Sequence, residues 1–211
     1  MKRKFIFLFF CLCCLAGFAQ GGKALDLKEI NSGKFSPENI YGVVPMPDGE
    51  HYTQRNAEGT QIVKYSFRTG EPVEVVFDVT KARECHFKKF DSYQFSPDGS
   101  KILIATETKP IYRHSYTAVH YLYPVKRNDK GVTTNNIVEK LSDGGPQQAP
   151  VFSPDGNLVA FVRDNNIFLV KLLYGNSESQ VTEDGKLNSV LNGIPDWVYE
   201  EEFGFNRALE F

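Results

Sequence analysis

Through the middle and end of the chain, apolar residues come in short runs closed off by turn-forming residues. Ile102-Leu103-Ile104-Ala105 follows Lys101, Leu158-Val159-Ala160-Phe161-Val162 follows Asn157, and Ile167-Phe168-Leu169-Val170 lies between Asn166 and Lys171. Runs of this length, rich in β-branched and aromatic residues, predict strands rather than helices. The turns between them repeat. Pro47-Asp48-Gly49, Pro97-Asp98-Gly99 and Pro154-Asp155-Gly156 recur 50 and 57 residues apart, and the last two extend to Phe-Ser-Pro-Asp-Gly from Phe95 and from Phe152. Proline presets φ, aspartate bonds its own backbone and glycine supplies a positive φ, so each copy predicts a hairpin turn. After the third copy, Asp164-Asn165-Asn166 predicts a further turn and Gln180-Val181-Thr182 the start of a last short strand. Roughly four strands per repeat predict an all-β chain built of β-propeller blades. A β-sandwich with coincident turns is the competing architecture, and three spaced copies weigh against it.

The amino terminus breaks the pattern. Lys2-Arg3-Lys4 precedes an apolar or small-residue run from Phe5 to Phe18, and Gly17-Phe18-Ala19 offers small residues where a signal peptidase reads them. This predicts a signal peptide over 1–19, export to the periplasm or beyond, and a mature chain starting near Gln20. A short membrane anchor is the alternative, although the run is brief for a bilayer. An amino-terminal segment would then occupy 20–38 and the propeller portion 39–211. Cleavage would remove Cys11, Cys13 and Cys14 and leave Cys85 with no partner in the chain, even in a compartment that permits disulfides. It would also leave 21 Lys+Arg against 26 Asp+Glu, a net charge of −5. That balance argues against a nucleic-acid partner, which requires a basic face. The 17 Phe and 10 Tyr strengthen the case for strands.

Little in the chain speaks of catalysis. No Gly-x-Ser-x-Gly occurs, Cys85-His86 has no second pair to complete a zinc site, and no glycine-rich phosphate loop is present. No catalytic residue, metal or cofactor is therefore expected. His51 and His120 fall in strand-like text and read as structural. Two segments carry more. Asp196 can cap a short helix starting at Trp197, and Glu200-Glu201-Glu202 follow inside it. Like charges in a row repel, and a cation from outside would relieve them. Helical neighbours fan out by roughly 100°, so two of the three carboxylates can share a ligand but not all three. A primary ammonium, with three donors, suits such a pair. A solvated acidic turn that satisfies the helix dipole accounts for the same residues. Arg113, after Lys109-Pro110-Ile111-Tyr112 interrupts a strand, can grip a carbonyl or carboxylate, or can simply be a surface arginine.

These two segments, in this order and among Ser-Pro-Asp-Gly turns, resemble the dipeptidyl peptidase IV branch of the prolyl oligopeptidase family. The likeness rests most on Tyr112-Arg113-His114-Ser115-Tyr116-Thr117-Ala118 and on Gly193 to Glu202, Gly-Ile-Pro-Asp-Trp-Val-Tyr-Glu-Glu-Glu. It implies an eight-bladed propeller, of which this chain holds roughly the first three blades, over a carboxyl-terminal α/β-hydrolase domain. It implies a serine peptidase that releases X-Pro dipeptides from free amino termini, commonly as a homodimer. Glu201 and Glu202 then bind the substrate's α-ammonium and Arg113 contacts a substrate backbone carbonyl, while Glu200 takes no such role. The triad falls outside these residues. Leu209-Glu210-Phe211 sits where a further repeat would begin and is expected to be part of a strand, so the chain is expected to be an amino-terminal fragment. A non-catalytic propeller serving as an interaction module is the alternative function.

Overall fold

A computed structural model describes residues 25–37, 39–125, 136–173 and 175–211; the expected signal peptide lies outside them. The chain divides into a unit ending at Tyr41 and a unit from Gly42 to Phe211. In the first, Asp26 caps a one-turn helix, α1 (Leu27–Asn31), by accepting from the Lys28 amide at 3.3 Å.

The second unit is three consecutive antiparallel meanders. The first is β1 (Val44–Pro45), β2 (His51–Arg55), β3 (Gln61–Ser66) and β4 (Pro72–Asp78), paired in that order. The second is β5 (Ser92–Phe95), β6 (Lys101–Pro110), β7 (Tyr116–Pro124) and β8 (Glu139–Lys140). The third is β9 (Gln147–Phe152), β10 (Leu158–Arg163), β11 (Asn166–Lys171) and β12 (Ser177–Gln180). These are propeller-type blades in an arc that does not close.

All three Pro-Asp-Gly turns join the first strand of a blade to its second. In the two Ser-Pro-Asp-Gly copies the geometry is the same. The Ser96 hydroxyl donates to Asp98 at 2.6 Å and accepts from the Lys101 amide at 2.9 Å, and Ser153 does so with Asp155 and Leu158 at the same distances. Asp48 replaces that serine in the first copy by accepting from the Glu50 and His51 amides. A fourth turn of this kind, Asn56 to Gly59, has no proline, and the Asn56 side chain accepts from Thr60 and Gln61 instead.

Two apolar layers fill the spaces between blades. Ile62, Val76 and Phe77 of the first blade pack with Phe90, Ile102, Ile104 and Tyr123. Leu103, Leu122 and Leu141 pack with Phe152, Val159, Phe161, Phe168 and Val170 of the third. The alternation of β6 therefore sends Ile102 and Ile104 to one neighbour and Leu103 to the other, which explains why the whole run is apolar.

The structure corrects three local expectations. Lys109 and Pro110 do not interrupt β6; they pair with Thr117 and Tyr116 after a bulge in which Glu107 has φ 53°. Beyond Ala105 the other side of β6 has no ladder partner among the described residues, so the missing proline N–H costs nothing there. The last strand of the third blade lies at Ser177–Gln180, because the Val181 and Thr182 amides both turn to the Ile167 carbonyl. Leu209–Phe211 forms no strand, since extended chain becomes a strand only beside a free ladder edge. In addition, the second and third blades share one sheet. β7 divides one edge, pairing Tyr121 and Leu122 with β8 and Thr117 and Ala118 with Gln148 and Gln147 of β9. β9 stays on β10 there across a bulge at Ala149, which adopts φ 51°, so that Gln148 pairs with Val162 of β10 on one side and with Thr117 of β7 on the other.

Candidate functional site

Two segments far apart in sequence meet at one edge of this arc. One is the hairpin tip from Ile111 to Ser115 between β6 and β7, closed by the Ile111 amide donating to the Ser115 carbonyl at 2.8 Å. The other is α2 (Trp197–Phe203). As expected, Asp196 caps it, accepting from the Tyr199 amide at 2.9 Å, and Gly204 ends it in the left-handed region at φ 72°.

Gly193 sets where that helix starts. Its φ is 76°, and a Cβ there would lie 2.8 Å from Leu209 Cδ2, 2.9 Å from Val162 Cγ2 and 3.0 Å from Ile167 Cγ1. The backbone thus lies directly on β10 and β11. Gly193→Ala should destabilise the protein by roughly 1–3 kcal/mol through overpacking and the positive φ. Chemical denaturation of the variant checks this, and an unchanged midpoint would refute the packing argument.

The three glutamates diverge, as the helical fan requires. Glu200 turns inward and is 1% exposed. Its Oε1 accepts from the amides of His114 and Ser115, each at 2.8 Å. Burial opposes its charge, but the Ser115 hydroxyl beside it and these two amides outweigh burial and hold the carboxyl below the usual glutamate range. Asn206 Nδ2 donates to the His114 carbonyl at 2.8 Å from just beyond the helix. Glu201 faces the hairpin tip, where Arg113 Nε donates to its Oε2 at 3.0 Å. The Arg113 side chain remains 73% exposed and that of Glu201 is 19% exposed, so the pair opens to solvent on the arginine side. Glu202 is exposed and has no ion pair among the described residues. A cleft of about 720 Å3 opens beside the start of the helix, lined in part by Ile111, Tyr112, Asp196, Trp197 and Glu200; Arg113 and Glu201 are not among its lining residues.

Arg113, Glu201 and Glu202, placed together by sequence reading, thus lie on facing segments. Glu200, given no role, makes the contact that joins them, and Asn206 was not singled out at all. The fan of helical neighbours is the signal that one glutamate must point inward; which one depends on the hairpin. Tyr199, Phe203 and Phe205 form an exposed ring cluster with centroids 5.4–6.4 Å apart. No group of three or more His, Cys, Asp or Glu side chains is placed to hold a metal among the described residues.

Four-stranded blades carrying an acidic helix against an arginine hairpin define a propeller module with a charged edge. The model of the dipeptidyl peptidase IV (DPP IV) N-terminal region matches residues 96–211, and the chain belongs to that family. It is similar to crystalline dipeptidyl peptidase 4 of Porphyromonas gingivalis, at 49% identity and TM-score 0.75 over 89% of this chain and 26% of that one. It is 33% identical to the human prolyl endopeptidase FAP over 85% of this chain, and 34% identical to a probable dipeptidyl-aminopeptidase B of Emericella nidulans over 86%. The chain spans 22% and 20% of the lengths of those two curated relatives.

Proposed function

We propose that this chain is the substrate-recognising part of a serine dipeptidyl aminopeptidase. The whole enzyme releases X-Pro dipeptides from peptides with a free amino terminus. The carrying observation is the solvent-open pair of Arg113 and Glu201, with Glu202 next to it on the helix. A peptide α-amino group has a pKa of roughly 7.7–8.0 and is mostly protonated at neutral pH. Glu201 and Glu202 accept its N–H donors, and the remaining Arg113 donors grip a backbone carbonyl of the same substrate. Arg113 also offsets the charge of Glu201 between substrates. Fixing the ammonium at one distance from a nucleophile on a carboxyl-terminal hydrolase domain counts off two residues. The enzyme is exported, begins near Gln20 and works as a homodimer.

The test uses the full-length enzyme, a Gly-Pro peptide and its amino-terminally acetylated form. Wild type should cleave the free peptide far faster. A hydrogen bond to a charged group contributes roughly 1.5–3 kcal/mol, so Glu201→Gln or Glu202→Gln should each lower kcat/KM by about ten- to a hundredfold. Equal turnover of both peptides by wild type would overturn the proposal. Amino-terminal sequencing of the native protein tests export, and an intact Met1 would count against it.

A further inference from the structure

Glu200 and Arg113 are linked by more than proximity. The amides that Glu200 accepts belong to the two residues directly after Arg113, and Glu200 itself directly precedes Glu201. One buried carboxylate therefore joins the backbone beside the arginine to the backbone beside the ammonium-facing glutamate. Asn206 adds a third bond to the same loop, at the His114 carbonyl. The loop is otherwise exposed: Ile111, Tyr112, Arg113 and His114 all face solvent. Its own closure is a single good backbone bond, from the Ile111 amide to the Ser115 carbonyl at 2.8 Å, with a weaker one from Tyr112 at 3.4 Å. A loop so thinly tied would sample many positions unless something outside it held it. The ion pair between Arg113 and Glu201 is a poor candidate for that task, because it is solvent-exposed on one side and is the pair a substrate must engage.

We infer that Glu200 and Asn206 are positioning residues that fix the spacing between Arg113 and the Glu201–Glu202 pair. They touch no substrate. They hold the arginine hairpin against the acidic helix so that both grips on a peptide amino terminus are preformed. This rests on the proposed role of Arg113, Glu201 and Glu202. It adds that the neighbouring glutamate, identical in chemistry, acts only through them.

The test compares Glu200→Ala, Glu200→Gln and Asn206→Ala in the full-length enzyme, measuring kcat and KM for free and acetylated Gly-Pro peptides. A misplacement of about 1 Å can cost on the order of a hundredfold in rate. Glu200→Ala should lower kcat/KM for the free peptide by about ten- to a hundredfold, mainly through KM, while the slow cleavage of the acetylated peptide changes little. Discrimination between the peptides should therefore shrink. Glu200→Gln keeps an oxygen acceptor for both amides and should restore most of it. Asn206→Ala, which removes one bond and no charge, should give a smaller loss of the same kind, and serves where Glu200→Ala does not fold. If wild type discriminates but the folded variants discriminate equally well, with only a lower Tm, the positioning role is wrong and the recognition site stands. If wild type itself does not discriminate, both fall.

Discussion

Replacing Glu201 and Glu202 together by glutamine should lower kcat/KM of the full-length enzyme for a free-amino-terminus peptide by about a hundred- to ten-thousandfold. Two hydrogen bonds to a charged group, at roughly 1.5–3 kcal/mol each, set that range. Glutamine keeps an acceptor oxygen but not the charge, so the loss is of charge assistance at an unchanged shape. A second effect runs the same way. Arg113 Nε rests on Glu201 at 3.0 Å, and without that carboxylate the guanidinium is free to turn into solvent. In the proposed function the two glutamates share one ammonium, so full additivity of the two losses sets the upper end of that range. The fold should survive: Glu202 is exposed, and the inward contact belongs to Glu200, which the variant keeps. The loss of stability should stay within what surface substitutions produce, about 0.5 kcal/mol. Turnover of the acetylated peptide should barely change. An equal fall for both peptides would mean that the helix had moved and that no charge had been read.

Why Glu200 is hidden while its neighbours are not shows where sequence reading stops. The helix itself was legible: Asp196 is a good cap, and the segment before it reads as a turn. Helical geometry demands that three successive carboxylates diverge. What the sequence lacks is the surface they diverge toward. Glu200 and His114 lie 86 residues apart, and no local rule joins them. The turns were legible for the opposite reason. Ser96 and Ser153 complete their bonds within five residues, so the chemistry that specifies the turn is contained in it. The Asn56 turn escaped because asparagine does the serine's work without the proline that marks the other copies.

The course of β6 lies between these cases. Its apolar centre announces a strand, but not that it continues through Pro110. That depends on β5 ending opposite Ala105, which leaves the proline on an unpaired edge. The splice of β7 to β9 is harder still. It needs a bulge with Ala149 at positive φ, which does not signal pairing on its own. Both features bear on function. The extended β6 carries the hairpin outward to the acidic helix, and the splice ties the strand that follows Arg113 to the third blade, on which Gly193 seats that helix. The edge proposed to bind substrate is thus framed by two blades.

That splice should make the protein acid-sensitive above the range in which carboxylates titrate. His120 lies on β7, 2% exposed, with its amide and its Nδ1 both 3.0 Å from Oε1 of Gln147, itself fully buried at the start of β9. Burial disfavours the imidazolium and lowers the His120 pKa to about 4, although the bonds to Gln147 and the Ala118 backbone pull the other way. In the unfolded chain the same imidazole titrates near its ordinary value of 6.5. The folded pKa is the lower one, so between these values the unfolded state binds more protons. Stability is therefore full above pH 6.5 and falls as the pH drops toward about 4. A tenfold difference in proton affinity between the two states is worth about 1.4 kcal/mol, which makes the whole loss about 3 kcal/mol. Denaturant unfolding of wild type and of His120→Gln, at steps from pH 7 to pH 4, measures it. Glutamine cannot titrate, so its curve should lack the descent between pH 6.5 and 4 while sharing every loss due to other groups. The variant starts less stable at pH 7, because the packing around the imidazole is disturbed, and the two curves should converge on acidification. Parallel curves over that window would mean that His120 takes up its proton without unfolding the seam between the blades.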